Sequence, residues 1–216
     1  MAPQSSGLQR SYDAIAEEYA QRLYNELTHK PFDRKMLDWL VEKAPSGGLI
    51  CDMGCGPGQI AAYIMHQGEH ACGIDVSLGM VVQAQRLNPD VPFQQGDMLA
   101  LKSVPDDAYH GIAAFYSLIH IPLPQLPQAL TELHRVLVPG GILLATYHIG
   151  DETRHFDAFM GSAVDMDFYF FQTPIMRQHM EHAGFVIEEA IERDPYRDDV
   201  EVQTRRGYIF ARKPKA

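Results

Sequence analysis

The sequence predicts an α/β fold, doubly wound around a mostly parallel sheet with helices on both faces. Short apolar runs alternate with helical segments from residue 48 to residue 148. The runs are continuously apolar rather than alternating, as in strands buried on both faces. At 216 residues the chain suits one core, burying roughly 70% of the surface its unfolded form exposes.

Leu8, Tyr12, Ile15, Ala16, Tyr19 and Leu23 recur at spacings of three and four, which predicts an amphipathic helix over residues 5–22. A second helix follows Pro31, with Phe32, Met36, Leu37, Leu40 and Val41 on one face, and stops before Pro45-Ser46-Gly47-Gly48. Then come a strand in Gly48–Gly54, a helix over 59–66, a strand in His70–Asp75, a helix over 78–86 and a strand near Val91–Met98. A strand in His110–Ile121, a helix over 124–137 and a strand in Gly141–Ile149 complete the alternation. Residues 149–171 interrupt it with Phe156, Phe159, Met160, Met166, Phe168, Tyr169, Phe170 and Phe171 among acidic residues, which reads as a cap. A helix over 173–183 ends at Gly184, and the runs from Phe185 and Gly207 predict a terminal antiparallel hairpin.

A net charge of −10 opposes binding to a phosphate backbone, so no nucleic-acid partner is expected. The basic cluster Arg205, Arg206, Arg212, Lys213 and Lys215 reads as a solvated strand edge and tail. Neither a membrane-spanning run nor a signal-peptide core is present, which predicts no membrane partner and a cytoplasmic location. Cys51, Cys55 and Cys72 lack paired metal-ligand spacing and are expected as reduced thiols. Oligomeric state is not legible at this level.

The most specific local feature is Ile50-Cys51-Asp52-Met53-Gly54-Cys55-Gly56-Pro57-Gly58, a strand running through glycines into a helix. Such a loop lets backbone approach a nucleotide-like ligand. Asp75, 21 positions after Gly54, is spaced to accept hydrogen bonds from ribose hydroxyls. The glycines are two apart, unlike the dinucleotide fingerprint, and Asp52 before them suits a cationic amino-acid moiety better than a pyrophosphate.

The segment Asp52–Gly58 resembles motif I of the class I S-adenosylmethionine-dependent methyltransferases. Asp75 matches their acidic residue after the second strand, Gly96-Asp97-Met98 resembles their adenine-binding turn, and Leu137–Gly141 resembles the turn before their fifth strand. Tyr12–Tyr19, His29–Arg34 and Phe115–His120 are similar to a small bacterial-type subgroup. The resemblance implies a Rossmann-like fold with a seven-stranded sheet, S-adenosylmethionine as cofactor and S-adenosylhomocysteine as product. It implies a lid over 1–45, a cofactor-binding core over 48–148, an acceptor cap over 149–171 and a C-terminal helix and hairpin over 172–216.

By the same resemblance Gly54, Cys55 and Gly56 pack on the methionyl part, Asp75 holds the ribose, Val76 and Met98 sandwich the adenine, and Asp97 accepts its amine. Gly96, Met80, Phe115 and Ser117 complete that wall, and Tyr19 lies over the cofactor. Lys30 and Arg34 are candidates for the methionyl carboxylate, with a solvated helix face as the alternative.

Methyl transfer from a sulfonium mainly needs alignment and exclusion of water. Where a proton must be taken, His120 beyond the fourth strand is the first candidate, and a role in shaping the pocket is its alternative. His148 and Tyr116 rank second, with Tyr147 beside them. No metal is expected: His179 falls near the apolar face beside Met176 and Met180, whereas His182 faces solvent. The cap aromatics read either as ordinary core or as the wall of an apolar acceptor pocket. The expected function is methyl transfer to O, N or S of a small-molecule acceptor. The alternatives are a nicotinamide-dependent oxidoreductase and an S-adenosylmethionine-binding module without catalysis.

Overall fold

The computed structural model describes residues 5–215, with side chains described from Gly7 onward. Met1–Gln4 of the expected lid and Ala216 of the expected C-terminal segment lie outside the described residues. The chain begins with α1 (Ser5–Leu23) and α2 (Pro31–Lys43), joined through a 3₁₀ turn at Glu26–His29. Pro31 occupies the first turn of α2, where its missing N–H forfeits no helical bond. The core then alternates as β1 (Leu49–Met53), α3 (Gln59–His66), β2 (His70–Asp75), α4 (Leu78–Leu87), β3 (Phe93–Gln95) and β4 (Tyr109–Phe115). It continues through α5 (Leu126–Val136), β5 (Leu137–His148), β6 (Thr153–Phe159), β7 (Ser162–Tyr169), α6 (Thr173–His182), β8 (Val186–Arg193) and β9 (Arg206–Arg212).

Seven strands form one sheet in the order β3-β2-β1-β4-β5-β9-β8, and only β9 runs against the others. On β5, Ile142 and Leu144 enter the core beneath α2, α3 and α4, while Leu143, Ala145 and Tyr147 enter the core beneath α5 and α6. Burial of both faces is why the central strands β1, β4 and β5 read as nearly continuous apolar runs. Strand order reverses across β1, between β2 on one side and β4 on the other. A crevice therefore opens at the C-terminal strand ends, where open α/β sheets take their ligands.

Three expectations change. The helix expected over 124–137 starts at Leu126 after a 3₁₀ turn at Leu123–Gln125, and Leu137 already pairs with Tyr109. The glycine turn Leu137–Gly141 is therefore the irregular start of β5, with Gly140 N–H bonded to Lys213 O. The cap over 149–171 is mostly a separate β6–β7 hairpin. Its two-residue turn, Met160-Gly161, has positive φ at both positions, as a tight hairpin requires. That hairpin lies against α1, where Ser11 Oγ accepts from Asp165 N (2.9 Å) and shares its proton between Gly7 O (3.0 Å) and Asp165 O (3.2 Å).

The basic cluster is the third correction. The chain returns from residues 194–205 to insert β9 between β5 and β8, so β9 is not an edge. Arg206 is only 3% exposed. Its guanidinium donates to the carbonyls of Thr204 (2.8 Å) and Val202 (2.9 Å) and lies 3.4 Å from Glu201. Arg205 stays exposed beside Glu192, and Arg212 and Lys213 pair with Glu188 and Asp107.

Arg193 at the end of β8 links this loop to α2. It binds Glu201 and Tyr208 Oη (2.9 Å) and reaches Asp33 at 3.4 Å, and Tyr208 Oη also donates to Asp33. Asp33 is fully buried, and burial raises its pKa despite Tyr208 and Arg193. Removing one partner of a buried ion pair strands the other charge, at a cost of about 3–5 kcal/mol. Arg193→Met is therefore expected to lower unfolding stability by about 3 kcal/mol or more, read from the urea midpoint. A loss within about 0.5 kcal/mol would mean that the pair does not hold α2 to the sheet.

Candidate functional site

The turn after β1 sets one end of the crevice. Gly54 has φ +76°, and a Cβ there would lie 2.3 Å from Ser117 Cβ, so only glycine fits. Gly56, with φ +50°, faces open space: its added Cβ would meet only Tyr19 Cε1, at 3.9 Å. A ligand can therefore lie directly against this backbone. Asp75 at the end of β2 accepts from Gly56 N and Ser77 N, each at 2.8 Å through a different oxygen. Each oxygen keeps a second lone pair, enough to accept two hydroxyls. Burial pushes the Asp75 carboxyl up to about 6, against the lowering effect of those N–H bonds.

One cleft of about 560 Å³ brings together Tyr19, Lys30, Gly54, Cys55, Gly56, Asp75, Val76 and Met80. The same cleft is lined by Gly96, Asp97, Met98, Phe115 and Ser117, so thirteen of the fifteen residues expected at the cofactor share it. Its volume falls in the range of small-molecule sites. Asp97 Oδ1 accepts from Leu99 N (2.9 Å), which leaves its other oxygen for a ligand. Ser117 Oγ is buried without a partner among the described residues, as is Gln59 Oε1. Buried polar atoms normally find partners, so both fit a ligand that supplies one.

Two expected residues stand apart. Asp52 is 1% exposed and does not line the cleft. Its Oδ2 accepts from Ala61 N (3.2 Å) in the first turn of α3, and burial pushes its carboxyl up to about 8. It caps a helix rather than facing a cation. Arg34 also lies outside the lining and donates to the carbonyls of Leu27 and Thr28. Lys30 instead enters the cleft beside Glu26 (2.5 Å), and Gln59 Nε2 holds the other Glu26 oxygen at 3.0 Å. Glu26 and Gln59 were missed because neither belongs to a motif. Cys51 and Cys55 are buried, which raises both thiols well above the usual range and leaves no thiolate.

At the other end the hairpin and α1 close over the strand ends. Leu8, Tyr12, Ile119, His120, Phe159, Met166, Phe168 and Tyr169 line this part. These side chains are mostly apolar or aromatic, with Arg10, Asp165 and Asp167 also in the lining, so the cap side chains form pocket wall as well as packing. Phe168 meets the His120 ring edge-on, with centroids 4.7 Å apart. His120 follows β4 in a 3₁₀ turn, with Nδ1 3.1 Å from Asp167 O and Nε2 2.7 Å from Tyr12 Oη. A carbonyl only accepts, so Nδ1 carries the proton and Nε2 accepts from Tyr12. Burial lowers His120 to about 4, which keeps the ring neutral.

The second-rank bases are otherwise engaged. Arg206 Nη1 and Thr204 Oγ1 each lie 2.7 Å from His148 Nδ1; a guanidinium only donates, so Nδ1 accepts and this ring carries its proton on Nε2. Burial, then Arg206, lower its pKa to about 3. His148 offers the cleft a donor, not a base. The Tyr116 ring lines the wall, but its hydroxyl turns to Tyr208 Oη at 3.1 Å. Its φ of +52°, uncommon for a tyrosine, is held by an N–H bond to Thr146 Oγ1 (2.8 Å). Tyr147 Oη is spent on Thr173 (2.9 Å). His179 is half-buried and His182 exposed on α6, away from this cleft.

Residues 50–141 match the family model described as a methyltransferase domain. The chain is 32% identical over 146 residues to the 2-phytyl-1,4-naphtoquinone methyltransferase of Thermosynechococcus vestitus, an alignment covering 63% of this chain and 62% of that one. It is 31% identical over 147 residues to the malonyl-[acyl-carrier protein] O-methyltransferase of Erwinia billingiae, covering 67% and 57%. The chain thus spans about three fifths of the length of these two curated relatives. The magnesium protoporphyrin IX methyltransferase of Synechocystis, solved with S-adenosylmethionine bound, superposes with a TM-score of 0.74 at 17% identity. That superposition covers 99% of this chain and 98% of the other, which establishes a shared fold.

The titration of Asp75 gives a pH dependence with a defined sign. Above about pH 6 the carboxylate is ionised and keeps lone pairs free to accept from a ligand, and below it one oxygen is protonated and acceptance weakens. Affinity for S-adenosylhomocysteine should fall about ten-fold between pH 7.5 and pH 5, since each pH unit below the pKa is a factor of ten. Calorimetric titrations across that range test this, and a flat dissociation constant would contradict it.

Proposed function

Since the chain belongs to the class I S-adenosylmethionine-dependent methyltransferase family, we propose that it transfers the cofactor's methyl group to a small-molecule acceptor held beneath the hairpin. The observation that carries this is Asp75, whose two oxygens hold Gly56 N and Ser77 N and keep lone pairs toward a cleft that runs on into an apolar chamber. Asp75 accepts the ribose hydroxyls, Val76 and Met98 flank the adenine, and Asp97 accepts its exocyclic amine. Lys30 pairs with the methionyl carboxylate. Glu26 and the unpartnered Gln59 Oε1 receive the ammonium group, and Tyr19 covers the methionyl chain over Gly56.

When bound, S-adenosylmethionine supplies an electrophilic methyl group and loses its positive charge on giving it up. The protein's own part is alignment and dryness: α1 and the hairpin cover the reacting end with Met166, Phe168 and Tyr12. Orientation of this kind is worth several kcal/mol of barrier, on the order of 7–11 for a well-aligned pair. The partly aromatic lining supports an apolar or aromatic acceptor body. Glycines two apart and a ribose-binding carboxylate without a dinucleotide turn favour this reading over a nicotinamide-dependent oxidoreductase.

Asp75→Ala should weaken S-adenosylhomocysteine binding by about ten-fold or more, because a charged hydrogen-bond acceptor is worth about 1.5–3 kcal/mol. Unchanged affinity removes the ribose assignment. Activity is tested by incubating the protein with methyl-labelled S-adenosylmethionine and panels of phenols, amines, thiols and carboxylates. Label should enter at least one class in wild type and fall sharply in Asp75→Ala. Label in none of the panels, despite cofactor binding, would favour a binding module without catalysis.

A further inference from the structure

The tautomers fixed at the apolar end specify what kind of group can sit there. Tyr12, on α1, places its hydroxyl 2.7 Å from His120 Nε2, while His120 Nδ1 is spent on the Asp167 carbonyl at 3.1 Å. The phenolic proton is therefore committed to His120, and Tyr12 Oη turns only lone pairs to the cleft. Across the same cleft His148, whose Nδ1 accepts from Arg206, presents an N–H. The same lining includes the apolar Ile119, Ile121, Phe159, Met166 and Phe168, and the charged Arg10 and Arg206.

We propose that Tyr12 is the residue that receives the acceptor, and that the acceptor is a neutral hydroxyl compound with an apolar or aromatic body whose O–H donates to Tyr12 Oη. This rests on the methyl-transfer reading and goes past it, by assigning the acceptor class and a catalytic role to a lid residue. A carboxylate or thiolate brings only lone pairs, so it would face the lone pairs of Tyr12 and would have to be held away from that hydroxyl, by the His148 N–H, Arg10 or Arg206 of the same lining. A protonated amine would add a second cation beside the sulfonium. A phenolic O–H, with an ordinary pKa of about 10, is both a good donor and acidic enough to release its proton in the step.

The proton and electron balance closes without a further reagent. As the acceptor oxygen forms its bond to the methyl carbon, the electrons of the C–S bond return to sulfur. The acceptor O–H bond breaks and its proton goes to Tyr12 Oη. Tyr12's own proton passes to His120 Nε2. The positive charge lost at sulfur reappears on the imidazolium, so the net charge of the chamber is unchanged across the step. Burial holds His120 near 4, which keeps Nε2 free to accept at neutral pH and hands the proton to solvent once the chamber opens.

The test uses the whole chain saturated with S-adenosylhomocysteine and three probes of one shape: 2-naphthol, 2-methoxynaphthalene and 2-naphthoate. Calorimetry should give 2-naphthol an affinity at least about ten-fold above both others, the worth of one hydrogen bond of about 1.4 kcal/mol. Tyr12→Phe should keep its affinity for S-adenosylhomocysteine and lose the preference for 2-naphthol over 2-methoxynaphthalene. Equal binding of those two to wild type, tighter binding of 2-naphthoate, or no 2-naphthol binding up to about 1 mM overturns the proposal without using any variant. A preference retained in Tyr12→Phe overturns the role of Tyr12. Failure of S-adenosylhomocysteine itself to bind wild type would instead overturn the cofactor reading.

Discussion

The carboxylate of Asp75 is the constraint on which the site depends. It ends β2, and its two oxygens fasten two different segments, the glycine turn through Gly56 N and the start of α4 through Ser77 N. Ser77 extends the link. Its hydroxyl caps α4 at Met80 N (3.1 Å) and donates to Asp13 Oδ1 (2.6 Å), which also accepts from Gly79 N (2.8 Å). One carboxylate thus sets the distance between the glycine turn, the α4 N-terminus and, through Ser77, helix α1. Its burial is unfavourable for the charged form, as the raised pKa records. A strand-end carboxylate holding loops it does not belong to gives the ligand a prearranged set of partners, and preorganisation is what a binding site gains from rigidity.

At the opposite end the determining feature is a buried polar network, not a loop. Asp33, Tyr208, Arg193, Glu201 and Arg206 run from α2 through β8 and β9 to the wall of the cleft. Its outlets are Tyr116, turned away from the cleft by Tyr208, and His148, whose tautomer Arg206 fixes. Replacing such a network by apolar side chains need not cost stability. What it supplies here is definition: it holds the Tyr116 hydroxyl on Tyr208 and engages His148 Nδ1, while Tyr12 and His120 line the cleft as a hydrogen-bonded pair. Helix α1 and the hairpin, which both line this end of the cleft, are joined to each other at Ser11 and Asp165.

Much of this was readable in the chain, and the reason is locality. Strand and helix boundaries followed from apolar runs and from Pro31, Pro45 and Gly184, whose effects reach only a turn or two. The glycine loop was readable because Gly54 and Gly56 need conformations that few other residues adopt, and the loop's order relative to Asp75 and Asp97 placed all four in one cleft. His120 was readable as a residue just past a strand end. Arg34 and Asp52 were not, since type and spacing say nothing about which way a side chain turns. Arg34 found the carbonyls of Leu27 and Thr28, and Asp52 found the N–H of Ala61.

The sequence by itself determined the layered architecture, the glycine turn and the family resemblance, because periodicity, turn chemistry and short motifs act between near neighbours. The tertiary structure alone decided that β9 enters the sheet between β5 and β8, converting Arg206 from an expected surface charge into a buried one that sets a histidine tautomer. It alone decided that Tyr12 meets His120, 108 positions later. Such pairings depend on the register of elements distant in the chain, and register is fixed by the packing of the whole core rather than by any one segment's sequence.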